Sequence, residues 1–563
     1  MCPAQPAGVL DAARAWLAQD PDEETRTELE TLISDAAAGC ETALAALHDR
    51  FDTRLEFGTA GLRGALGAGP NRMNRVLVAQ AAAGFASWLL SRGPDSGSTG
   101  QSVVIGYDGR KNSSIFASDT AEIMAGAGIR AILLPRMLPT PVLAFAVRHF
   151  AVSAGVMVTA SHNPASDNGY KVYLGGEDNG SQIVSPADAD IAAHIHKVAA
   201  EASAAELPRS RDFEVAGDEI LDEYVRRTAA LAGHASAAVR FVYTALHGVG
   251  WETARRVFAE AGFGEPVSVA EQQEPDAAFP TVVFPNPEEP GALDVSYRTA
   301  TGAGAELVIA NDPDADRLAV AIPTTSGGWR RLSGNEVGFL LGWRAAERLS
   351  ATAREGTLAC SLVSSPALRE IARDYGLGFA ETLTGFKWIS RAGGLAYGYE
   401  EALGYLVDPD KVRDKDGISA AVDFLVLVSE LKAAGRTVED HLLAFAERFG
   451  AFASGQISVR VTDVAEIAHS MARLRQAPPR TIGDARVDRF EDFRDGFDGF
   501  PASDILRIWM EDGSRVIIRP SGTEPKVKVY IDASSTQGTG AQRQEAAQSV
   551  VDRLDAGIRS LLG

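Results

Sequence analysis

The 563-residue chain predicts an α/β protein: three related α/β domains with mixed sheets, followed by a smaller C-terminal α+β domain. Three observations lead there. The chain is too long for one core, since roughly 150 residues per domain implies about three or four domains. Short apolar runs rich in β-branched residues repeatedly end in a polar, glycine-bearing turn, and several are followed by a stretch with helical apolar spacing. The start of such a unit recurs at residues 102, 241 and 357, about one domain apart.

The elements follow in order. The first fifty residues hold an acidic helical stretch, read as an extension wrapped on the first domain. SVVIGYDGR (102–110), GVMVTASHNP (155–164), FVYTALHGVG (241–250), LVIANDPDAD (307–316) and TLACSLVSS (357–365) each begin with a run short enough for a buried strand. IFASDTAEIMAGAG (115–128), ETARRVFAEAG (252–262) and PALREIARDYG (366–376) carry helical spacing. Near 450 the pattern changes. RIWMEDGSRVIIRPSGTEPKVKVYIDA (507–533) predicts a hairpin-like strand pair, and 541–563 a final helix. The segment 475–503, rich in turn residues and charges, is expected to be a surface connection or insertion. The domain limits read as 1–215, 216–328, 329–450 and 451–563.

Composition excludes several classes. The net charge of -21 lacks the dominant basic face that nucleic acid requires. No run of about eighteen apolar residues is present for a membrane helix, and the N-terminus lacks the pattern of a signal peptide. Cys2, Cys40 and Cys360 are far apart, which argues against a disulfide scaffold or zinc ribbon and leads us to expect a cytoplasmic location. There is no GxxxxGK[ST], no GxGxxG opening a helix after a strand, and no GxSxG. His194 and His196 are two apart in a helical run and face different ways, so they read as solvated histidines.

Four segments carry chemistry. In Thr159-Ala160-Ser161-His162-Asn163-Pro164 a strand delivers Ser161 into a turn, with His162 beside it and Lys171 shortly after the Asn168-Gly169 turn. Asn311-Asp312-Pro313-Asp314-Ala315-Asp316-Arg317 places three aspartates on alternate positions after a buried strand. Three hard oxygen ligands suit Mg²⁺ or Ca²⁺. An EF-hand does not fit, because Arg317 and Pro323 stand where its glycine and glutamate belong. Arg519-Pro520-Ser521-Gly522-Thr523-Glu524-Pro525-Lys526 joins hydroxyls, a glycine and cations, the groups a monophosphate needs. Gly398-Tyr399-Glu400-Glu401-Ala402-Leu403-Gly404 offers paired carboxylates to sugar hydroxyls, and Lys415 follows in Arg413-Asp414-Lys415-Asp416-Gly417. Taken singly, each segment also reads as an ordinary polar loop.

In this order, TASHNP, DPDADR, GYEEALG and RPSGTEP, with FGTAGLRG (57–64) and TLTGFKW (382–388), resemble the α-D-phosphohexomutase superfamily of phosphoglucomutases and phosphomannomutases. The matching segments run from about 57 to 530. The TLTGFK and EEALGY forms resemble its phosphoglucomutase-2 and phosphopentomutase branch. The resemblance implies four domains around a central cleft, each giving one active-site loop. It implies that Ser161 carries a transferable phosphoryl group, with Mg²⁺ on Asp312, Asp314, Asp316 and the Ser161 phosphate. Arg63, Lys171 and Lys415 match basic active-site positions, and Arg317 follows the metal loop. Thr384, Gly385, Lys387, Glu400 and Glu401 fall on substrate-binding segments, with Glu400 in the sugar-contact loop. Arg519, Ser521, Gly522 and Thr523 fall on the distal phosphate loop. Many glucose-specific relatives have serine where this chain has Ala402, which leaves the sugar open.

The activity so implied interconverts sugar 1-phosphate and sugar 6-phosphate, with glucose first, then mannose, then ribose or deoxyribose phosphate. A sugar 1,6-bisphosphate serves as intermediate and activator. Lys171, Lys415 or His162 is the candidate general base. The expected partner is a small phosphosugar, with no nucleic acid or membrane, and the chain is expected as a monomer or weak dimer. Two rival readings are a metal-dependent phosphatase with an aspartate nucleophile and a non-catalytic sugar-phosphate sensor. An acid-stable phosphoserine separates the first, and turnover the second.

Overall fold

A computed structural model describes residues 6–58, 61–93, 100–233, 237–460, 464–520 and 526–562. The chain forms two compact units. One comprises the residues up to Arg331 with Gly404–Val426; the other comprises Leu332–Leu403 with the residues from Leu427 onward.

In the first unit, three helices, α1 (Pro6–Leu17), α2 (Glu23–Ala37) and α3 (Glu41–Phe51), form the N-terminal extension. Val9, Ala13, Trp16, Leu29 and Leu47 bury their apolar faces against Phe57, Leu62 and Met73, which explains why the acidic stretch stays on the first domain. Asp22 caps α2 by accepting from the Glu24 backbone.

Two mixed sheets follow. In the first, β2 (Ser102–Tyr107), β3 (Arg130–Leu133), β4 (Ala154–Val158) and β7 (Glu214–Val215) run parallel. β5 (Asp167–Leu174) returns antiparallel beside β4 and pairs in turn with β1 (Leu62–Ala65) and with the short β6 (Ser181–Gln182). In the second, β8 (Phe241–Thr244), β9 (Val267–Ser268) and β10 (Leu307–Ala310) are parallel, while β11 (Ala319–Pro323) and β12 (Trp329–Arg331) are antiparallel. β4 and β10 are buried along their whole length, as the unbroken AGVMV and LVIA runs require. Each then turns through a polar loop into an antiparallel partner. The Ser161 loop and the Asp312–Asp316 loop therefore occupy the same position in two copies of one motif.

In the second unit, β13 (Thr357–Ser361) lies parallel between β14 (Gly378–Thr382) and β15 (Leu395–Glu400). The last sheet is antiparallel, in the order β17 (Ala451–Arg460), β22 (Lys526–Ser535), β21 (Arg515–Pro520), β20 (Leu506–Met510), β19 (Ala485–Asp492), β18 (Thr481–Ile482), with the helix Gly540–Leu562 packed on it. The short β16 (Gly404–Leu406) belongs to the first unit. The 475–503 segment is thus no simple surface connection. Val487 and Phe490 pack on the core of the last sheet while charged neighbours face solvent, and that charge hid the strand. Among the described residues, no helix is long and apolar enough to cross a membrane.

Candidate functional site

Ser161, at the exit of β4, is buried and holds a positive φ of 52°. Its backbone N–H donates to Thr159 Oγ1 at 2.9 Å, and its Oγ donates to Asp312 Oδ2 at 2.8 Å. His162 Nδ1 lies 3.2 Å from the same Oγ. The nucleophile predicted on one loop and the carboxylates predicted on another, 151 residues away, are therefore in direct contact.

Asp312, Asp314 and Asp316 are fully buried, and one oxygen from each lies within 4.8 Å of the others. The loop closes on itself through Ala315 N to Asp312 O at 2.8 Å, with Ala315 at φ 55°. Two glycines let neighbouring chain approach it. A Cβ on Gly248 would lie 2.2 Å from Pro313, and one on Gly417 2.2 Å from the Arg317 carbonyl. Three cations face the three carboxylates. Lys171, projecting from β5, donates to Asp314 Oδ2 at 2.7 Å and Asp316 Oδ2 at 2.8 Å. Lys415 Nζ is 3.2 Å from Asp316 Oδ2. Arg317 Nε is 3.9 Å from both Asp312 and Asp316, and its backbone N–H donates to Asp312 Oδ1 at 3.0 Å.

This arrangement sets the protonation states. Burial, then the charges of Asp314 and Asp316, push the Asp312 carboxyl well above the usual range. Burial alone would raise Asp316 too, but Lys171, Lys415 and Arg317 outweigh it and hold that carboxylate low. Burial pulls the Lys171 ammonium down, yet Asp314 and Asp316 hold it above the ordinary lysine value. Burial first, then Arg317 and Arg63, keep His162 well below the histidine range, so its imidazole is neutral. Arg63, on β1 opposite Gly169, donates to Asn163 Oδ1 at 3.3 Å and so joins the same cluster. Thr59 and Ala60 of its motif lie outside the described residues.

The donor set fits a hard divalent cation. Among the described residues, Asp314 Oδ1 and Asp316 Oδ1 are buried oxygens with no hydrogen-bond partner, and three carboxylate oxygens converge beside a serine hydroxyl.

The second unit carries the remaining predicted residues. Arg519, at the end of β21, donates through Nη1 to Thr384 Oγ1 at 2.6 Å and reaches Tyr530 OH at 3.5 Å. Its buried Nε has no partner among the described residues. Thr384 and Gly385 follow β14; Gly385 takes φ 106° and is the residue before the short helix holding Lys387. Glu401 Oε2 accepts from Ser361 and Ser364 at 3.1 and 3.2 Å, so the second glutamate of the pair is tied to the loop after β13. Glu400 ends β15 beside it, partly exposed. Ser521, Gly522 and Thr523 lie outside the described residues.

Several supporting residues escaped sequence reading. Thr140 Oγ1 donates to Asp314 Oδ2 at 2.6 Å, and its backbone N–H to the Asp314 carbonyl at 2.9 Å. Asp414 accepts from Tyr173 OH at 2.9 Å, and Asp416 from Tyr224 OH at 2.8 Å and Lys411 Nζ at 2.9 Å, fixing the segment that carries Lys415. In the second unit, buried Arg515 binds Asp532 at 3.0 Å and Glu381 at 3.2 Å, which anchors β21 to the end of β14. Thr140 begins a helix after Pro139, but nothing in the sequence pointed it at Asp314.

Comparison with known proteins matches the chain to four family models, in chain order. These are the phosphoglucomutase/phosphomannomutase alpha/beta/alpha domains I (54–202), II (222–327) and III (333–449), and the C-terminal domain (457–549). A Haemophilus influenzae protein named "probable phosphomannomutase" is 55% identical over 490 residues, covering 87% of this chain and 98% of that protein. Human phosphopentomutase is 34% identical, covering 94% and 92%. The crystal structure of a phosphoglucomutase/phosphomannomutase family protein from Burkholderia thailandensis superposes with a TM-score of 0.67. It is 20% identical and covers 90% of this chain and 98% of its own.

Proposed function

The chain belongs to the phosphoglucomutase/phosphomannomutase family and is a phosphosugar mutase, and on that premise we propose that Ser161 is its phosphoryl carrier. The observation that carries this is the 2.8 Å contact of the Ser161 hydroxyl with a triad of buried aspartates that has oxygens to spare for a cation. In this reading Asp312, Asp314 and Asp316 hold Mg²⁺. That ion would neutralise charge on the phosphoryl group as it moves.

The residues then take these roles. Phosphorylated Ser161 gives its phosphoryl group to the free hydroxyl of a sugar monophosphate: the bond from the Ser161 oxygen to phosphorus breaks as the sugar oxygen bonds to phosphorus, and the proton that the sugar hydroxyl loses ends on the Ser161 oxygen. The product is a sugar 1,6-bisphosphate. It reverses its orientation, and Ser161 takes the other phosphate back, which leaves the isomeric monophosphate. Lys171, held as an ammonium between two aspartates, acts as a fixed positive charge. His162 is the group placed to take the Ser161 proton or return it, at 3.2 Å. Arg63, Arg317 and Lys415 supply further positive charge around the phosphoryl position. Arg519, with Thr384, Gly385, Lys387 and with Ser521, Gly522 and Thr523 of the same motif, holds the phosphate that stays in place. Glu400 receives the sugar hydroxyls, and Glu401 braces it through Ser361 and Ser364. We keep the division 1–215, 216–328, 329–450 and 451–563 as the four domains that deliver these loops.

Glucose phosphate is the first substrate in this reading, with mannose and ribose or deoxyribose phosphates as alternatives. The names of relatives span mannose and pentose phosphates, which supports testing all three. The experiment measures conversion of the 1-phosphates of glucose, mannose, ribose and deoxyribose side by side, with Mg²⁺ and bisphosphate activator. A dominant kcat/KM on glucose 1-phosphate supports the order given. Dominance of a pentose phosphate overturns it, and no conversion of any of them overturns the carrier assignment.

A further inference from the structure

Arg110 lies outside the motifs that point to phosphoryl transfer, at the end of the VVIGYDGR turn and 51 residues before Ser161. Its side chain is 1% exposed. The guanidinium donates to four backbone carbonyls of one loop. Nη1 reaches Pro164 O at 2.7 Å and Asp167 O at 3.1 Å; Nη2 reaches Ser161 O and Asn163 O, both at 2.6 Å. A planar fork with several fixed donors can span these acceptors, whereas a lysine ammonium cannot.

The surroundings fix the fork in turn. Asp108 Oδ2 lies 3.4 Å from Arg110 Nε and balances its charge. Asp108 Oδ1 accepts from Arg110 N at 3.0 Å and Ser113 Oγ at 2.7 Å, which ties the pair to the start of the next helix. The ring of Phe279, from the second α/β domain, covers the guanidinium at 4.9 Å.

The Ser161 loop needs such a clamp. Ser161 sits at φ 52°, a region a non-glycine residue occupies only when its surroundings over-determine it. Holding the Ser161 carbonyl inward on Nη2 is compatible with that φ and leaves Oγ directed at Asp312. We propose that Arg110 is a positioning residue for the nucleophile. It holds Ser161 in the left-handed conformation through the carbonyls of 161–167 and touches no substrate. The proposal rests on the reading of Ser161 as the phosphoryl carrier.

The test uses the full-length chain and compares Arg110→Lys, Arg110→Ala, Phe279→Leu and Ser161→Ala. Arg110→Lys keeps a cation beside Asp108 but loses the fork. Its kcat should fall about ten- to a hundred-fold, as for a nucleophile displaced by roughly 1 Å, with KM for the sugar 1-phosphate nearly unchanged. Millimolar guanidinium should restore part of kcat to Arg110→Ala, while urea at the same concentration should not. Phe279→Leu leaves every charge in place and should lower kcat about threefold, again at constant KM. Normal kcat in Arg110→Lys overturns the proposal, as does a loss of activity that only tracks the unfolded fraction. If both Arg110 variants fail to fold, Phe279→Leu decides, and an unchanged kcat there overturns it. Ser161→Ala separates the two levels. An active Ser161→Ala sinks the carrier reading itself, whereas an inactive Ser161→Ala beside a fully active Arg110→Lys sinks only the role of Arg110.

Discussion

Replacing Lys171 with methionine removes the ammonium that stands between Asp314 and Asp316 while keeping much of the side-chain volume. Lys171 is 5% exposed and its two contacts are 2.7 and 2.8 Å. At an effective dielectric of about 20, each contact is worth roughly 6 kcal/mol of Coulomb energy before desolvation is subtracted. The aspartate oxygens lie within 4.8 Å of one another, where two unit charges repel by about 3.5 kcal/mol on the same scale. Desolvation of the ammonium cancels much of the gross attraction. The net cost of deleting one partner of a buried pair is about 3–5 kcal/mol. At about 2 °C per kcal/mol for a large domain, Lys171→Met should melt about 6–10 °C below the parent in EDTA.

A cation at the triad restores what the ammonium supplied. With Mg²⁺ at about a hundred times its Kd, binding linkage contributes about 2.7 kcal/mol, so the variant's own melting temperature should rise by about 5 °C. The parent, whose three carboxylates already face Lys171, Lys415 and Arg317, should shift less. Thermal unfolding of both proteins in EDTA and in Mg²⁺ measures this directly. Melting temperatures that Mg²⁺ moves in neither protein would refute the claim that the triad is a cation site. A variant as stable as the parent in EDTA would refute the electrostatic reasoning about Lys171.

The other predictions are shorter. Ser161→Ala should form no acid-stable phosphoenzyme and lose turnover while keeping its fold; turnover within about tenfold of the parent would contradict the assignment. Asp314→Asn should raise the Mg²⁺ concentration needed for half-maximal rate and lower the maximal rate by orders of magnitude, and an EDTA-resistant parent would show that the aspartates serve another purpose. Arg519→Ala should lower kcat/KM about ten- to a few-hundred-fold on a sugar phosphate, from loss of charge-assisted hydrogen bonds each worth roughly 1.5–3 kcal/mol. Phosphoenzyme discharge to free glucose should suffer less, because that acceptor has no second phosphate; equal losses would place Arg519 at the wrong end of the sugar.

What was legible in the sequence follows from how buried strands are made. β4 and β10 are covered on both faces, so their residues must be apolar, and polar chemistry can enter only where the strand leaves the core. AGVMV ending at Thr159 and LVIA ending at Asn311 therefore mark their own exits, and Ser161 and the three aspartates sit within a few residues of them. The same rule failed for 475–503. β19 packs only part of its side chains, and its register shifts between Val487 and Arg489. Its charges and nearby turn residues therefore outweighed the apolar signal. The N-terminal helices were legible as an extension wrapped on the first domain, but the contact that fixes them there was not. Glu28 accepts from the Ala68 backbone at 2.9 Å, just beyond the strand carrying Arg63, across 40 residues.

The residues that hold the site, as opposed to those that face the chemistry, obey no local rule. Thr140 reaches Asp314 across 174 positions, Tyr224 reaches Asp416 across 192, and Arg110 reaches the carbonyls of 161–167 from a turn with no chemical signature of its own. Each of these contacts exists because segments far apart in the chain were brought side by side, and nothing in either segment encodes the other's position. A reacting group must have a particular chemical type, so its identity survives in the one-dimensional sequence. A holding group needs only a donor or acceptor of the right reach, which many residue types could supply from many places. The predicted nucleophile and triad thus met as the motifs required. The threonine, aspartates, lysine and arginine that keep them in place could be found only once the chain was folded.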